Sequence, residues 1–290
     1  MVTSALTVAE LRQAERYCRR CTAASGSSFT ASFLLLPSDQ RRAMTALYAF
    51  CRLVDDLVDE TGDLVQARAQ LDAWRSEIDA LYAGTPRHPV TVALAPAVAR
   101  HALPQALFHD IIDGMAMDLD PQPYADFAAL RRYCYRVASA VGLLAAEIFG
   151  YRNERTRAYA HDLGIALQLI NIARDVGEDA RRGRIYLPRD EMARFGVGVA
   201  DLLAGRDDER FQALMAFQIG RARQQLTEAL AQLPVEDRAA QRPGLIMAAT
   251  YGALLDEIVR QRVPVLQRRV RLAKAHKLWL VVKTWLAASQ

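Results

Sequence analysis

Two acidic clusters of the same design stand far apart in the chain: Asp55-Asp56-Leu57-Val58-Asp59 and Asp175-Val176-Gly177-Glu178-Asp179. Each sets two carboxylates four residues apart, which on an α-helix means one face, one turn apart. The rows extend upstream: Tyr48, Arg52, Asp55 and Asp59 have the spacing 0, 4, 7, 11, and so do Gly164, Gln168, Asn171 and Asp175. Their neighbours (Leu47, Ala49, Phe50, Leu53 and Val54; Ile165, Ala166, Leu167, Leu169 and Ile170) are core-like. Two polar stripes are therefore expected inside a helical bundle. Like charges at i,i+4 repel even when exposed, and burial raises that cost, so something cationic must compensate.

Carboxylates without His or Cys companions favour a hard divalent ion, Mg²⁺ before Zn²⁺. Magnesium takes one or two carboxylates plus substrate phosphates, which makes a metal-bridged diphosphate the natural ligand and the two clusters two halves of one site. A metal-held diphosphate is a leaving group. No catalytic triad or Walker loop accompanies it, so the simplest chemistry is ionisation, with metal and arginine stabilising the departing charge. The carbocation left behind needs a dry pocket with aromatic faces, for which Phe29, Phe33, Tyr48 and Tyr133 are candidates, ordinary core packing being the alternative for each. Arg52 and Arg174 adjoin the acidic clusters and either pair them or reach phosphate. Asn171 and Gln168 either serve the metal and phosphate or form a buried interhelical hydrogen bond. Arg181-Arg182-Gly183-Arg184 follows the second cluster, and Gly177 and Gly183 are expected to release the chain there into a basic flap that excludes water, a plain surface loop being the alternative.

Helical periodicity dominates, without a convincing alternating strand. Helices are expected at about 8–22, 38–60 with Ser38 as N-cap, 64–83 with Gly84 as the stop, 90–101, 104–118, 125–149, 154–176, 208–232, 244–262 and 276–287. The result is an all-α bundle carrying its stripes on the second and seventh helices. No linker or repeat divides the 290 residues, so one domain, 1–290, is expected. Ala138, Gly142 and Ala146 share a face, and Gly164 starts the second stripe. Small residues there either bring helices close or leave room for a long apolar ligand.

The net charge of +4 is mild and the basic residues are dispersed, apart from 181–184 and Arg268-Arg269-Val270-Arg271, which argues against nucleic-acid binding. Cys18, Cys21, Cys51 and Cys134, with no secretory leader pattern, suggest a reducing, cytoplasmic setting, and Cys18-Arg-Arg-Cys21 lacks the partners of a metal site. The longest apolar run, Val137 to Ala146, is too short for a membrane span. His276-Lys-Leu-Trp-Leu-Val-Val-Lys-Thr-Trp-Leu286 fits an interfacial helix in peripheral contact with the inner face of a membrane as well as it fits a terminal helix docked on the bundle.

The chain resembles the squalene/phytoene synthase family of head-to-head trans-isoprenyl synthases. The likeness runs through Gly26-Ser-Ser-Phe29, Tyr48-Ala-Phe-Cys-Arg-Leu-Val-Asp-Asp-Leu-Val-Asp-Glu60, Tyr133-Cys-Tyr-Arg-Val-Ala-Ser-Ala-Val-Gly142 and Gln168-Leu-Ile-Asn-Ile-Ala-Arg-Asp-Val-Gly-Glu-Asp-Ala-Arg-Arg-Gly-Arg-Ile-Tyr-Leu-Pro188. Within the family it is most similar to bacterial presqualene diphosphate synthases of the hopanoid pathway. The resemblance implies the isoprenoid synthase α-fold, an all-α bundle around a central apolar cavity, with two or three Mg²⁺ ions bridged by diphosphate and 1'-1 condensation of two farnesyl diphosphates to presqualene diphosphate. It implies no NADPH, and a squalene-forming enzyme downstream. By the same resemblance Asp55, Asp59, Asn171, Asp175 and Asp179 bind metal. Ser28, Arg52, Arg174, Tyr251 and Arg269 hold diphosphate, Tyr48, Gln168 and Tyr186 are polar site residues, and Phe29, Tyr133, Ala138 and Gly142 line a prenyl channel. Thr30-Ala31 and Ala173 depart from the family's usual residues. Phytoene or dehydrosqualene synthesis is the alternative within the family, and a non-catalytic scaffold of the same fold is the remote one.

Overall fold

The second helix shows how the sequence builds its scaffold. Alanines and large apolar residues between Ala43 and Val58 recur at helical spacing, and Ala43, Met44, Ala46, Leu47, Ala49, Phe50, Val54 and Val58 are buried. Phe50, fully enclosed, meets Trp74 and Phe108 edge-on at centroid distances of 5.5 and 5.4 Å. The computed structural model describes residues 6–24, 33, 35–60, 63–260 and 265–287; for Asp59 and Glu60 it describes the backbone alone. Every regular element among them is helical.

In chain order these are α1 (Val8–Ala24), α2 (Ser38–Glu60), α3 (Leu64–Tyr82), α4 (Pro89–His101), α5 (Gln105–Leu119) and α6 (Phe127–Cys134). A π-helical turn (Tyr135–Ser139) joins α6 to α7 (Ala140–Phe149). Then come α8 (Arg155–Arg181), α9 (Arg189–Arg194), α10 (Val199–Leu203), α11 (Glu209–Gln232), α12 (Arg242–Arg260) and α13 (Lys274–Ala287), with a 3₁₀ turn at Val235–Asp237. The long helices fall where apolar periodicity places them. The short α9 and α10 escape it, because five or six residues make too few turns to show a period.

The contacts divide into two compact units: Met1–Leu119 with Leu143–Tyr151, and Asp120–Gly142 with Arg152–Gln290. In the first, α2 packs against α1, α4 and α5, and α3 against α5. Its helix ends are stopped by ordinary local chemistry. Asp63 caps α3 by accepting from the Val65 and Gln66 amides, and Gly84 leaves that helix at φ +77°. Ser38 is the first helical residue rather than the cap, since the Pro37 carbonyl accepts from the Arg41 amide at 2.8 Å.

In the second unit α8, about 40 Å long, is the axis against which α11, α12 and the π turn pack. The chain entering it is held from a distance. Asp237 accepts from the Arg152 amide (2.7 Å), the Asn153 amide (3.1 Å) and Thr156 Oγ1 (2.6 Å). At the other end α8 runs to Arg181 and does not stop at Val176. Gly177 is therefore inside the helix, and it is there for close approach: a Cβ would lie 2.2 Å from the Leu266 carbonyl oxygen. Gly142 and Gly164 also settle as packing glycines. A Cβ at Gly142 would meet the Ala160 carbonyl oxygen at 2.8 Å, and one at Gly164 would meet Ser139 Cα at 2.5 Å.

Candidate active site

On α2, in the first unit, Arg52 holds the acids of its own helix: Nη1 lies 3.2 Å from Asp55 Oδ2, and Nη2 pairs with Asp56 Oδ1. The stripe is shallower than its apolar neighbours imply. Tyr48, Arg52 and Asp55 are half-buried, with 45% of the Asp55 side chain exposed. The spacing rotates the stripe to the edge of the buried face, where the charges keep water and the core keeps its apolar residues. Tyr48 meets Phe33 edge-on at 6.3 Å. Asp59 is in the last turn of α2, its side chain outside the described residues, as are Ser28, Phe29, Thr30 and Ala31 entirely.

On α8, in the second unit, the stripe is deeper. Gly164 is buried, Gln168, Asn171, Asp175 and Asp179 are half-buried, and the Asp175 side chain is 14% exposed. Two guanidinium groups bracket Asp175. Arg174 Nε donates to Oδ1 at 2.7 Å and its Nη2 to Oδ2. Arg269 makes a second fork, Nε 2.9 Å from Oδ1 and Nη2 3.1 Å from Oδ2, with Nη1 3.7 Å from Glu178 Oε2. Such bidentate pairs are the strong form of charge-assisted hydrogen bond. Burial opposes the charge on Arg174, yet the Asp175 hydrogen bond and charge hold its guanidinium above the usual value; Tyr251 and Asp179 also act on it. One small region thus joins Arg174, Asp175, Tyr251, Asp179 and Arg269.

Asp179 has the opposite environment. Burial first, then the charges of Asp175 and Glu178, push its carboxyl from 3.8 up to about 7, against the pull of Arg184 and Arg182. The chain folds back here through Gly183, at φ +76°, with the Arg184 amide donating to the Asp179 carbonyl at 2.9 Å. A basic flap does follow the second cluster, but Gly183 alone makes the turn. Its arginines divide their work: Arg181 donates to the Leu266 carbonyl at 2.8 Å, Arg182 pairs with Glu178 at 3.1 Å, and Arg184 acts on Asp179.

The flap carries Tyr186 into the protein, where it stacks on Tyr133 at 5.0 Å; Tyr124 completes the group at 5.6 Å from Tyr133 and 6.1 Å from Tyr186. The Arg189 amide donates to the Tyr124 carbonyl at 2.9 Å, fixing the far end of the flap. A small pocket beside this group is lined by Asp179, Arg184, Tyr186, Ile172, Val176 and Leu202. Ala138 is half-buried in the π turn, and Gly142 half-buried just after it. Periodicity alone predicts a single helix here; the extra residue of the π turn instead rotates everything after Tyr135 by roughly 100°. Ser139 Oγ donates to the His161 carbonyl at 2.6 Å, so the turn is tied to α8. Sequence reasoning missed Tyr124, which sits after Pro121-Gln-Pro123 in a loop without periodicity. It also missed Glu178, whose place between Arg182 and Arg269 only the return of the 265–271 segment reveals.

Asn171 tests whether the site suits a cation. Its Nδ2 donates to Gln168 Oε1 at 3.2 Å, while its Oδ1 is buried with no hydrogen-bond partner among the described residues. A buried amide oxygen without a donor costs stability, and a hard cation is a fitting partner for it. Among the described residues no three His, Cys, Asp or Glu side chains converge to hold an ion by themselves. The donors that fit are Asn171 Oδ1, the two carboxylates of the stripe and the oxygens of a bound diphosphate. All four cysteines are free, burial pushes the Cys18 thiol up to about 12, and among the described residues no third His, Cys, Asp or Glu joins Cys18 and Cys21.

Comparison with known proteins gives a consistent result. The squalene/phytoene synthase family profile matches residues 22–276. The 15-cis-phytoene synthase of Synechococcus elongatus is 38% identical over 283 residues, covering 93% of this chain and 92% of that protein. A dehydrosqualene synthase crystallised with a ligand superposes with a TM-score of 0.88 at 28% identity, over 97% of this chain and 98% of that one. The squalene synthase HpnC of Alicyclobacillus acidocaldarius superposes with a TM-score of 0.79 at 32% identity, over 88% and 96%. The fold is the all-α isoprenoid synthase fold. The chain belongs to the squalene/phytoene synthase family, prenyltransferases that condense prenyl diphosphates head to head.

Proposed function

We propose that residues 1–290 act as one catalytic domain in the cytoplasm, joining two prenyl diphosphates 1'-1 through a cyclopropylcarbinyl diphosphate. The observation that carries this reading is the face of α8. Gln168, Asn171, Asp175 and Asp179 stand in a row, with the Asn171 amide oxygen unpartnered among the described residues and two guanidinium forks on Asp175. The family resemblance adds Asp55 and Asp59 of α2 as further carboxylate ligands. Bound there with diphosphate, Mg²⁺ would supply Lewis-acid stabilisation of the leaving group.

The chain's own residues do the rest. Arg52, Arg174 and Arg269 lie beside the carboxylates and offer N–H donors to the diphosphate oxygens as the C1–O bond breaks. Ser28 and Tyr251 add contacts to the same group. The allylic cation forms against the Tyr133–Tyr186 stack, whose ring faces stabilise positive charge. The 2,3 double bond of the second substrate attacks C1, and loss of a proton closes the cyclopropane. Phe29, Tyr133 and Ala138 flank the prenyl tails, and Gly142 lets the chain after the π turn close on α8.

For the substrate, the 38% identity to a 15-cis-phytoene synthase over most of both chains supports geranylgeranyl diphosphate and release of phytoene. The likeness to HpnC squalene synthase supports the second reading, farnesyl diphosphate coupled to presqualene diphosphate. Product analysis decides. Purified protein with Mg²⁺ and no NADPH is given each diphosphate separately, and the products are identified by mass spectrometry. The first reading expects phytoene from the C20 substrate; a cyclopropyl C30 diphosphate from the C15 substrate alone establishes the second. If neither is consumed, head-to-head coupling by this chain is wrong.

A further inference from the structure

Helix α13 packs on α12 by one side only. Leu280 is buried, and the Arg242 guanidinium lies 4.7 Å over the Trp285 ring. Away from that side, Leu278, Trp279, Val282 and Leu286 are each 51% to 65% exposed. Leu278, Val282 and Leu286 repeat every four residues with Trp279 beside them, so they form one stripe of about 100°. Exposed lysines edge it: Lys274 on one side and Lys283 on the other, the latter with Nζ 4.7 Å over the Trp279 ring. From Val265 to Gln290 the chain has Arg268, Arg269, Arg271, Lys274, Lys277 and Lys283 and no acid. Arg269 is engaged by Asp175, whereas Arg268 and Arg271 are exposed.

We infer that α13 is a docking surface for an anionic lipid bilayer, lying in the interface with its apolar stripe among the acyl chains. Charge complementarity chooses this occupant, because a lysine-edged stripe in a segment free of acids matches a negatively charged headgroup layer. The residue types agree: tryptophan settles at headgroup depth, and lysines extend from an apolar stem to the phosphates. Length agrees as well, since 14 residues form a rod of about 21 Å that lies along a surface. No described helix is long and apolar enough to cross a membrane. A second copy of the chain is a poorer occupant: four large apolar side chains fall well short of the roughly 20–30 residues per side of a stable dimer. The inference stands on this surface alone and is independent of which diphosphate the chain consumes.

Flotation of the full-length protein tests it, using vesicles of phosphatidylcholine with phosphatidylglycerol and vesicles of phosphatidylcholine alone. The protein is expected to float with the anionic vesicles and much less with the neutral ones. Leu278→Gln/Val282→Gln/Leu286→Gln lowers the partition at least about tenfold. Lys274→Gln/Lys283→Gln lowers it about 25-fold at low salt, near fivefold for each lysine, and less at high salt. Far-UV circular dichroism confirms that the variants are folded. Tryptophan emission gives a second readout that needs no triple variant: anionic vesicles shift the wild-type spectrum to the blue and leave Trp279→Phe unshifted. The inference is overturned if the wild type stays with the unbound fraction, if the triple variant floats equally, or if Trp279→Phe shifts as far as wild type. It is equally overturned if the stripe supports a dimer that the triple variant dissolves while lipid binding is absent.

Discussion

The raised Asp179 carboxyl makes the metal-free protein less stable as pH rises. Its folded value of about 7 lies above the 3.8 of an unperturbed aspartate. Between those values the folded chain keeps a proton that the unfolded chain has lost, so stability falls with rising pH across the interval and levels off above 7. About three pH units at 1.4 kcal/mol each give roughly 4 kcal/mol as an upper bound, trimmed by solvent screening and by nearby Arg182 and Arg184. For a chain of this size that is about 2 °C per kcal/mol, hence about 3 °C per pH unit between pH 5 and 7. Thermal unfolding in EDTA from pH 5 to 8, wild type against Asp179→Asn, isolates the effect. The amide in that variant cannot ionise, so the variant gains on wild type as pH rises. Magnesium with inorganic diphosphate provides the converse, because a ligating carboxylate must first lose its proton. By calorimetry its affinity falls more steeply below pH 7 for wild type than for the variant, the difference approaching about tenfold per unit. Parallel melting curves for the two proteins across the whole range would falsify the account of Asp179.

Three more outcomes follow from the geometry. Gly177→Ala places a Cβ against the Leu266 carbonyl and displaces the segment that brings Arg269 to Asp175; it should cost about 1–3 kcal/mol and raise KM for the diphosphate. An unchanged melting point would show that the segment yields freely. Asn171→Leu removes a buried oxygen without a partner, so the metal-free protein gains about 1 kcal/mol in urea unfolding while turnover drops at least about a hundredfold. Near-normal rates in that variant would remove Asn171 from the cation site. Asp237→Ala leaves three donors at the entry to α8 without their acceptor and costs about 3 kcal/mol. Burial works to raise the Asp237 carboxyl, but its hydrogen bonds win and hold it below the usual value. That contribution is present above pH 4 or so and is lost as pH falls through the folded value; equal acid stability of wild type and variant would contradict it.

The parts of this protein that were legible in the sequence are those with a period. Helix α2 and the long α8 follow apolar spacing within a few residues, and the two stripes lie on single helical faces because nothing else gives the spacing 0, 4, 7, 11. Contacts between segments distant in sequence were not legible. The hold that Asp237 takes on the entry to α8 spans more than 80 residues. Gly177 looked like a helix exit because glycine usually marks one, and only the backbone of Leu266, arriving from another segment, shows it to be a site of close approach. The π turn was hidden for a related reason. Its sequence is helical throughout, and the added residue answers the pressing of Ser139 against Gly164, a tertiary contact.

The cationic partner demanded by the like charges proves to be twofold, and this bears on how the site can exist before substrate arrives. Guanidinium groups already serve the acids: Arg52 on Asp55 and Asp56, Arg174 and Arg269 on Asp175. Asp179 instead, pushed up to about 7, carries a proton for about half the time at neutral pH, and Asn171 Oδ1 has no partner among the described residues. Under the proposed reaction, the carboxylates would hold Mg²⁺ and the arginines would donate to the phosphate oxygens. Each charge would then keep an opposite neighbour, so the desolvation cost met on folding would not be incurred again on binding. Arginine suits this task better than lysine, because its planar fork matches a carboxylate and a phosphate with the same geometry. The asymmetry between the stripes fits as well. The half-exposed α2 acids can wait in water, while the deeper α8 acids need guanidinium or a proton until the cation comes.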